Sequence, residues 1–230
     1  MASIRRWSDS GLLPASRVGR RRERRFAQAD LVRFLGEPRR DLQAAVGAPS
    51  SSVVTVGGVR VPLKSHLAPI YASDAGALRL SVPFLADGLK AGQPCFLVAT
   101  GEVLKRYLSA LGQFEGVDVA ASIQNGQLTV LPAPGVNPQD AIGNIERLFG
   151  KALESGPMLL RLVGEMACVR HAFASDAEMM TFEEAYDVMS RRFPAIALCQ
   201  YDAREFNGEV VLRALKAHPD MFERLGGFLN

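Results

Sequence analysis

The sequence predicts an α/β fold: a mostly parallel sheet with flanking helices, preceded by a small basic segment. Two observations lead there. From His66 onward, short apolar runs alternate with longer amphipathic stretches, which is how a parallel sheet with crossover helices is written in sequence. The charge is also divided along the chain. Residues 1–40 hold eleven arginines against Asp9, Glu23, Asp30 and Glu37, a net +7, whereas the remainder carries sixteen basic and twenty acidic residues, a net −4. At 230 residues and 48% hydrophobic content the chain has ample material for a packed core, which excludes disorder of the whole.

The elements follow in order. Ile4 and Trp7 lie three apart on one helical face while Arg5 and Arg6 project elsewhere, so an apolar pair packs as the arginines meet phosphate or base edges. Gly11 stops that helix. Arg17 and Phe26 bracket Gly19 and the arginine block 20–25, the pattern of a short β-hairpin lying against a nucleic-acid backbone. Leu31, Phe34 and Leu35 supply the apolar face of a closing helix. The basic unit is assigned to residues 1–41, a linker of small uncharged residues to 42–52, and the second domain to 53–230.

Val53–Val56 and Val59–Pro62 flank Gly57-Gly58 and predict a hairpin. Strands are expected at Leu67–Tyr71, Cys95–Ala99, Leu128–Leu131, Met158–Val163 and Ile196–Tyr201, with helices at 75–91, 101–111, 138–154, 177–192 and 207–217. Ser175 with Glu178 forms a capping box, and Asn207 is placed to cap the last helix. The loop after the first core strand, 72–79, holds one glycine, no lysine and Asp74, so it is no phosphate-binding loop. No Gly-x-Gly-x-x-Gly fingerprint occurs either.

The basic segment, with Arg5-Arg6-Trp7, Gly11-Leu12-Leu13-Pro14, the arginine-rich hairpin and Asp30-Leu31, resembles the MerR and excisionase type of winged helix-turn-helix over about residues 3–36. That resemblance implies DNA contacts from Arg5, Arg6, Arg17, Arg20, Arg21, Arg22, Arg24 and Arg25. The match begins inside the recognition helix, and this makes a protein-interaction module of a kinase or sigma-factor pathway, without DNA binding, the alternative. Downstream, His66 to Tyr71, Phe84-Leu85 with Gly88-Leu89, Gly126-Gln127-Leu128, Gly164-Glu165-Met166, Leu198 to Asp202 and His218-Pro219 are similar to the MEDS family, the sensory domain named for methanogens, methylotrophs and the dichloromethane repressor. The resemblance spans about residues 62–222. It implies a degenerate relative of the RecA and KaiC fold that senses small molecules, and a ligand-responsive transcriptional regulator as the whole.

Ligands of open α/β sheets bind at strand termini, where His66, Tyr71, Glu165, Cys199, Tyr201, Asp202 and His218 gather; these are the expected effector residues. Glu165 reads equally as a ligand contact or the remnant of a catalytic acid, and as a carboxylate that caps the next turn or pairs with an arginine such as Arg161 or Arg170. Cys168 and His171 have Cys-x-x-His spacing, but two ligands are not a site, and with Cys199, His66 and His218 scattered along the chain no metal is assigned. Met179, Met180 and Met189 read as core. No catalytic arrangement can be assembled locally, so no enzyme and no cofactor are expected. The expected partners are DNA and a small-molecule effector, with a homodimer reading paired half-sites. Three unclustered cysteines and the absence of any ~18-residue apolar run predict a cytoplasmic protein without membrane contact.

Overall fold

A computed structural model describes residues 8, 14–18, 23–27, 30, 53–154, 156 and 158–221. Expectations for Arg5, Arg6, Arg20, Arg21 and Arg22, for Ile4 and Trp7, for the helix at Leu31 to Leu35 and for the linker 42–52 lie outside those residues. Near the N-terminus, β1 (Ser16–Val18) pairs antiparallel with β2 (Glu23–Arg25), as the hairpin pattern predicted. Arg17 and Arg24 are register partners, so both guanidinium groups leave the same face of the ladder.

The second hairpin, β3 (Val53–Val56) and β4 (Val59–Pro62), turns through Gly57 and Gly58 at φ 55° and 83°. Two consecutive positive φ values are what a two-residue primed turn demands, and a Cβ at Gly57 would also lie 2.3 Å from Leu80 Cδ1. The remaining elements run β5 (His66–Leu67), β6 (Ile70–Tyr71), α1 (Asp74–Lys90), β7 (Cys95–Val98), α2 (Gly101–Leu111), α3 (Val119–Gln124), β8 (Leu128–Leu131), α4 (Pro138–Leu153), β9 (Leu160–Glu165), α5 (Met166–Arg170), α6 (Asp176–Ser190), β10 (Ala195–Asp202) and α7 (Gly208–Ala217).

The sheet order is β8-β7-β9-β10-β5, with β6 continuing the β10 edge beyond β5, and every pairing in it is parallel. Helices α1 and α2 pack together on one face, while α4, α6 and α7 line up on the other. The first expected strand is thus two short strands. Pro69 has no N–H to donate, so the ladder breaks there, although its carbonyl still accepts from Tyr201 N at 2.9 Å.

The fourth core strand lies two residues later than expected. Leu160 N bonds Pro194 O and Arg161 N bonds Pro94 O, which sets the start of β9, and the ladder then runs through Gly164 to Glu165. Helices α3 and α5 were not expected; they are short and capped by Asp118 and Glu165. Half of the capping box forms, with Ser175 Oγ accepting from Glu178 N, whereas the Glu178 carboxylate accepts from Ala174 N rather than from Ser175 N; Asn207 caps α7 through Val210 N. Met179, Met180 and Met189 are buried core residues. Arg161 crosses the core from β9. Its Nη1 donates to Phe84 O and its Nε to Gln93 Oε1, both at 2.7 Å, and its guanidinium lies 4.8 Å from the Phe84 ring centre.

Candidate functional site

In a strand, successive side chains point to opposite faces. Along β10 this rule places Cys199 and Tyr201 against α6 and α7, and Gln200 and Asp202 against α1 and α2. The seven effector residues expected at the strand ends therefore separate into two groups, back to back across the sheet.

On the α1 and α2 face, Glu165 is the register partner of Gln200, and Tyr71 is that of Asp202. The Tyr71 hydroxyl donates to Glu165 Oε2 at 2.8 Å, and Glu165 Oε1 caps α5 by accepting from Ala167 N. Glu165 thus caps α5, and its side-chain partner is Tyr71 rather than an arginine. Arg161 is engaged in the core, and Arg170 pairs with Asp176 at 2.8 Å. Behind Glu165, Gln200 Nε2 donates to Ala77 O at 2.9 Å and Gln200 Oε1 accepts from the Tyr107 hydroxyl. Ser81 Oγ donates to the same carbonyl at 2.6 Å. Glu165 is 1% exposed. Burial pushes its carboxyl up to about 7, against the pull of the Tyr71 hydroxyl and the Ala167 N–H. Burial, reinforced by that carboxylate, also pushes the Tyr71 hydroxyl far above its ordinary value.

At the outer rim of this group, Arg204 grips Asp202 bidentately, with Nε 2.9 Å from Oδ1 and Nη2 2.6 Å from Oδ2. The same Nη2 donates to Asp74 Oδ1 at 2.7 Å, and Asp74 also pairs with Arg106. An alternating chain Asp202, Arg204, Asp74, Arg106 thereby ties the end of β10 to the first turn of α1 and to α2. Arg204 holds both carboxyls below the usual carboxylate range, chiefly by hydrogen bonding. Ser73 caps α1 by accepting from Gly76 N, and Asp74 in the first turn sets a negative charge at the positive end of the helix dipole. An open depression of about 430 Å³ lies between α1 and α2, lined by Leu78, Lys105, Arg106, Ser109 and Ala110; it touches the chain of charges only at Arg106.

On the other face, His66, Cys199 and His218 meet around Glu183, and all four are buried. His66 Nε2 is 3.2 Å from Cys199 Sγ and 3.5 Å from Glu183 Oε2, and His218 Nε2 is 2.9 Å from the same oxygen. The Tyr186 ring lies 4.8 Å from His66, and the Tyr201 ring meets His218 edge-on at 6.2 Å. His66 Nδ1 faces Asp187 Oδ1 at 3.6 Å, and His66 N donates to Asp220 Oδ2 at 3.1 Å. Arg191 joins the two carboxylates. Burial and the nearby His218 lower the His66 ring. Burial, reinforced by the neighbouring Glu183 carboxylate, drives the Cys199 thiol well up. Glu183 sits below the usual carboxylate range: burial opposes its ionisation, and the adjoining rings of His218 and His66 outweigh it.

Glu183 escaped the sequence reading. Its signal was positional: on α6 it falls four residues after Met179 and three before Tyr186, in the stripe that faces the core, where an acid is out of place. Cys168 on α5 and His171 just after its end, singled out by their spacing, stand apart from this group, and His171 is exposed. Of the arginines expected to meet DNA, Arg17, Arg24 and Arg25 are on the β1–β2 ladder. Among the described residues, no helix is long and apolar enough to cross a membrane.

Residues 65–219 match the family described as MEDS, the MEthanogen/methylotroph, DcmR Sensory domain. That span contains both polar groups. Over 229 residues the chain is also 40% identical to the transcriptional repressor DcmR of Methylorubrum extorquens (strain DSM 6343 / CIP 106787 / DM4). This covers 96% of the chain and 86% of that repressor.

Proposed function

The chain belongs to the MEDS sensory-domain family, and from that premise we propose that it is a ligand-responsive transcriptional regulator, binding DNA through its basic N-terminal segment and a small molecule through its α/β domain. One observation carries the reading. The similarity to a transcriptional repressor covers 96% of the chain, so the uncovered remainder is too short to leave out the basic segment. The divided charge supports the same assignment, since a net +7 over residues 1–40 suits a polyanion and the remainder does not.

The effector site is the group around Tyr71, Glu165, Gln200 and Asp202. It lies at the carboxyl ends of β6, β9 and β10, where open parallel sheets take their ligands. Its rim is a set of ion pairs that reach solvent and re-form at little cost, whereas His66, Cys199 and His218 are sealed in the interior. An effector with a polar head exchanges hydrogen bonds with Tyr71 and Glu165, and opening the Asp202–Arg204–Asp74 bridge carries the change to α1. The chain acts by binding rather than by catalysis. Two copies read paired half-sites.

The test is fluorescence anisotropy of the full chain with fragments flanking its own gene, over a series of salt concentrations. Neutralising about six phosphates gives a log-log slope of about −5. Small organic effectors are then screened for a change in that affinity. Salt-independent association, or no fragment bound above background, overturns DNA binding; an effector panel that shifts neither affinity nor melting overturns sensing.

A further inference from the structure

Buried polar groups in a folded protein are nearly always paired, and each exception calls for a cause. Among the described residues, the buried side-chain polar atoms without a hydrogen-bond partner are His66 Nδ1, Glu183 Oε1 and Oε2, Tyr186 OH, Tyr201 OH, His218 Nε2 and Asp176 Oδ1. Asp176 Oδ1 has an arginine at 2.8 Å. All the others belong to one cluster. Their arrangement is specific. His218 Nδ1 is 2.7 Å from Ala214 O, and since a carbonyl can only accept, Nδ1 carries the proton. In the neutral ring Nε2 then carries the lone pair, 2.9 Å from Glu183 Oε2, acceptor against acceptor, and neither atom has a hydrogen-bond partner. His66 turns its own Nε2 toward the same carboxylate oxygen and toward Cys199 Sγ. Something positive belongs between them.

We propose that His66 Nε2, Glu183, Cys199 Sγ and His218 Nε2 bind a divalent transition-metal cation of the zinc type in a closed four-coordinate site. One ligand atom from each residue lies within 4.8 Å of all the others. Tetrahedral coordination at about 2.0 Å to nitrogen or oxygen and about 2.3 Å to sulfur puts ligand atoms roughly 3.3 to 3.6 Å apart, close to the 2.9, 3.2 and 3.5 Å seen here. Two imidazoles, a thiolate and a carboxylate suit zinc, and the two anions neutralise its charge inside the protein. An outer shell is in place as well. Ala214 O fixes the His218 tautomer, Asp187 faces the far nitrogen of His66, and the Tyr186 and Tyr201 hydroxyls are available to the ligating anions. All four ligands are buried, so the site is structural rather than catalytic, clamping β5 to α6, β10 and the end of α7.

The experiment uses the full chain, stripped by a chelator and dialysed, then titrated with Co²⁺ alone and afterwards with Zn²⁺. Saturation at one equivalent, with intense tetrahedral ligand-field bands and a thiolate-to-cobalt charge-transfer band that Zn²⁺ abolishes, is the expected result. Cys199→Ser loses the charge-transfer band, whereas Cys168→Ser keeps it. Asp187→Asn retains all four ligands and weakens binding by about 10-fold to 100-fold. That variant and the wild-type titration decide the matter even where Cys199→Ser does not fold. No uptake at one equivalent overturns the proposal and leaves a shared proton between Glu183 and His218. A charge-transfer band that follows Cys168 instead of Cys199 overturns it too.

Discussion

Glu165→Gln isolates the energetic cost of the carboxylate at the end of β9. Burial raises this group from 4.5 to about 7, a difference of roughly 2.5 units, and at about 1.4 kcal/mol per unit the ionised form costs the folded state roughly 3 kcal/mol. The sign follows from proton binding. Below the ordinary value both folded and unfolded chains hold the proton and nothing is lost. Between that value and about 7 the unfolded chain releases it while the folded chain retains it, so stability falls as pH rises and levels off once the folded group has ionised. Glutamine cannot ionise, yet its amide still accepts from the Tyr71 hydroxyl or from Ala167 N. Urea unfolding of both proteins from about pH 5 to about pH 8 gives the difference curve. It favours glutamine increasingly across that window, by about 2 to 3 kcal/mol at the upper end. A constant offset between the two curves refutes the reasoning, because it means that Glu165 carries no unpaid charge in the folded protein.

Three further outcomes follow from individual contacts. A Cβ at Gly88 would lie 2.5 Å from Arg161 Cδ and 2.6 Å from Cys95 Sγ, so Gly88→Ala overpacks the core and lowers stability by about 1 to 3 kcal/mol in denaturant titration; an unchanged midpoint contradicts this. Arg204→Ala opens the bridge between Asp202 and Asp74 at a solvent-screened rim, so the unfolding midpoint barely moves while the effector concentration at half-response shifts. Arg17→Gln with Arg24→Gln removes two cations from one face of the β1–β2 ladder and reduces the salt slope of DNA binding by about 1.8, read by anisotropy; an unaltered slope places the phosphate contacts elsewhere.

Strong periodicity made the large elements legible. Helices α1, α2, α4, α6 and α7 and strands β7, β8 and β10 lie within about two residues of where apolar spacing and caps put them. The offset of β9 has a chemical reason. Met158 and Leu159 look like strand, whereas Gly164 and Glu165 do not, yet the ladder to β10 includes the latter pair and leaves out the former. Helices of five or six residues such as α3 and α5 have too few turns to display a period at all.

The site residues were legible by position along the sheet and illegible by face. Cys199, Tyr201 and Asp202 share a strand terminus, but the two-residue alternation sends the first two to α6 and α7 and the third to α1 and α2. Tyr71 and His66 separate in the same way, one following Asp202 and the other Cys199, because each pairs along the same edge of β10 at a different height. What assembles the buried group is tertiary: residues 66, 183, 199 and 218 come from a strand, a helix, a second strand and a helix end, so no spacing rule for metal ligands can register them. The consequence is architectural. β10 carries Gln200 and Asp202 toward one cluster and Cys199 toward the other. In the proposed metal-bound state Cys199 ties β10 to His66, Glu183 and His218 on one face, while Gln200 and Asp202 tie the same strand to α1 on the other through Ala77 O and Arg204, so the two groups share one strand.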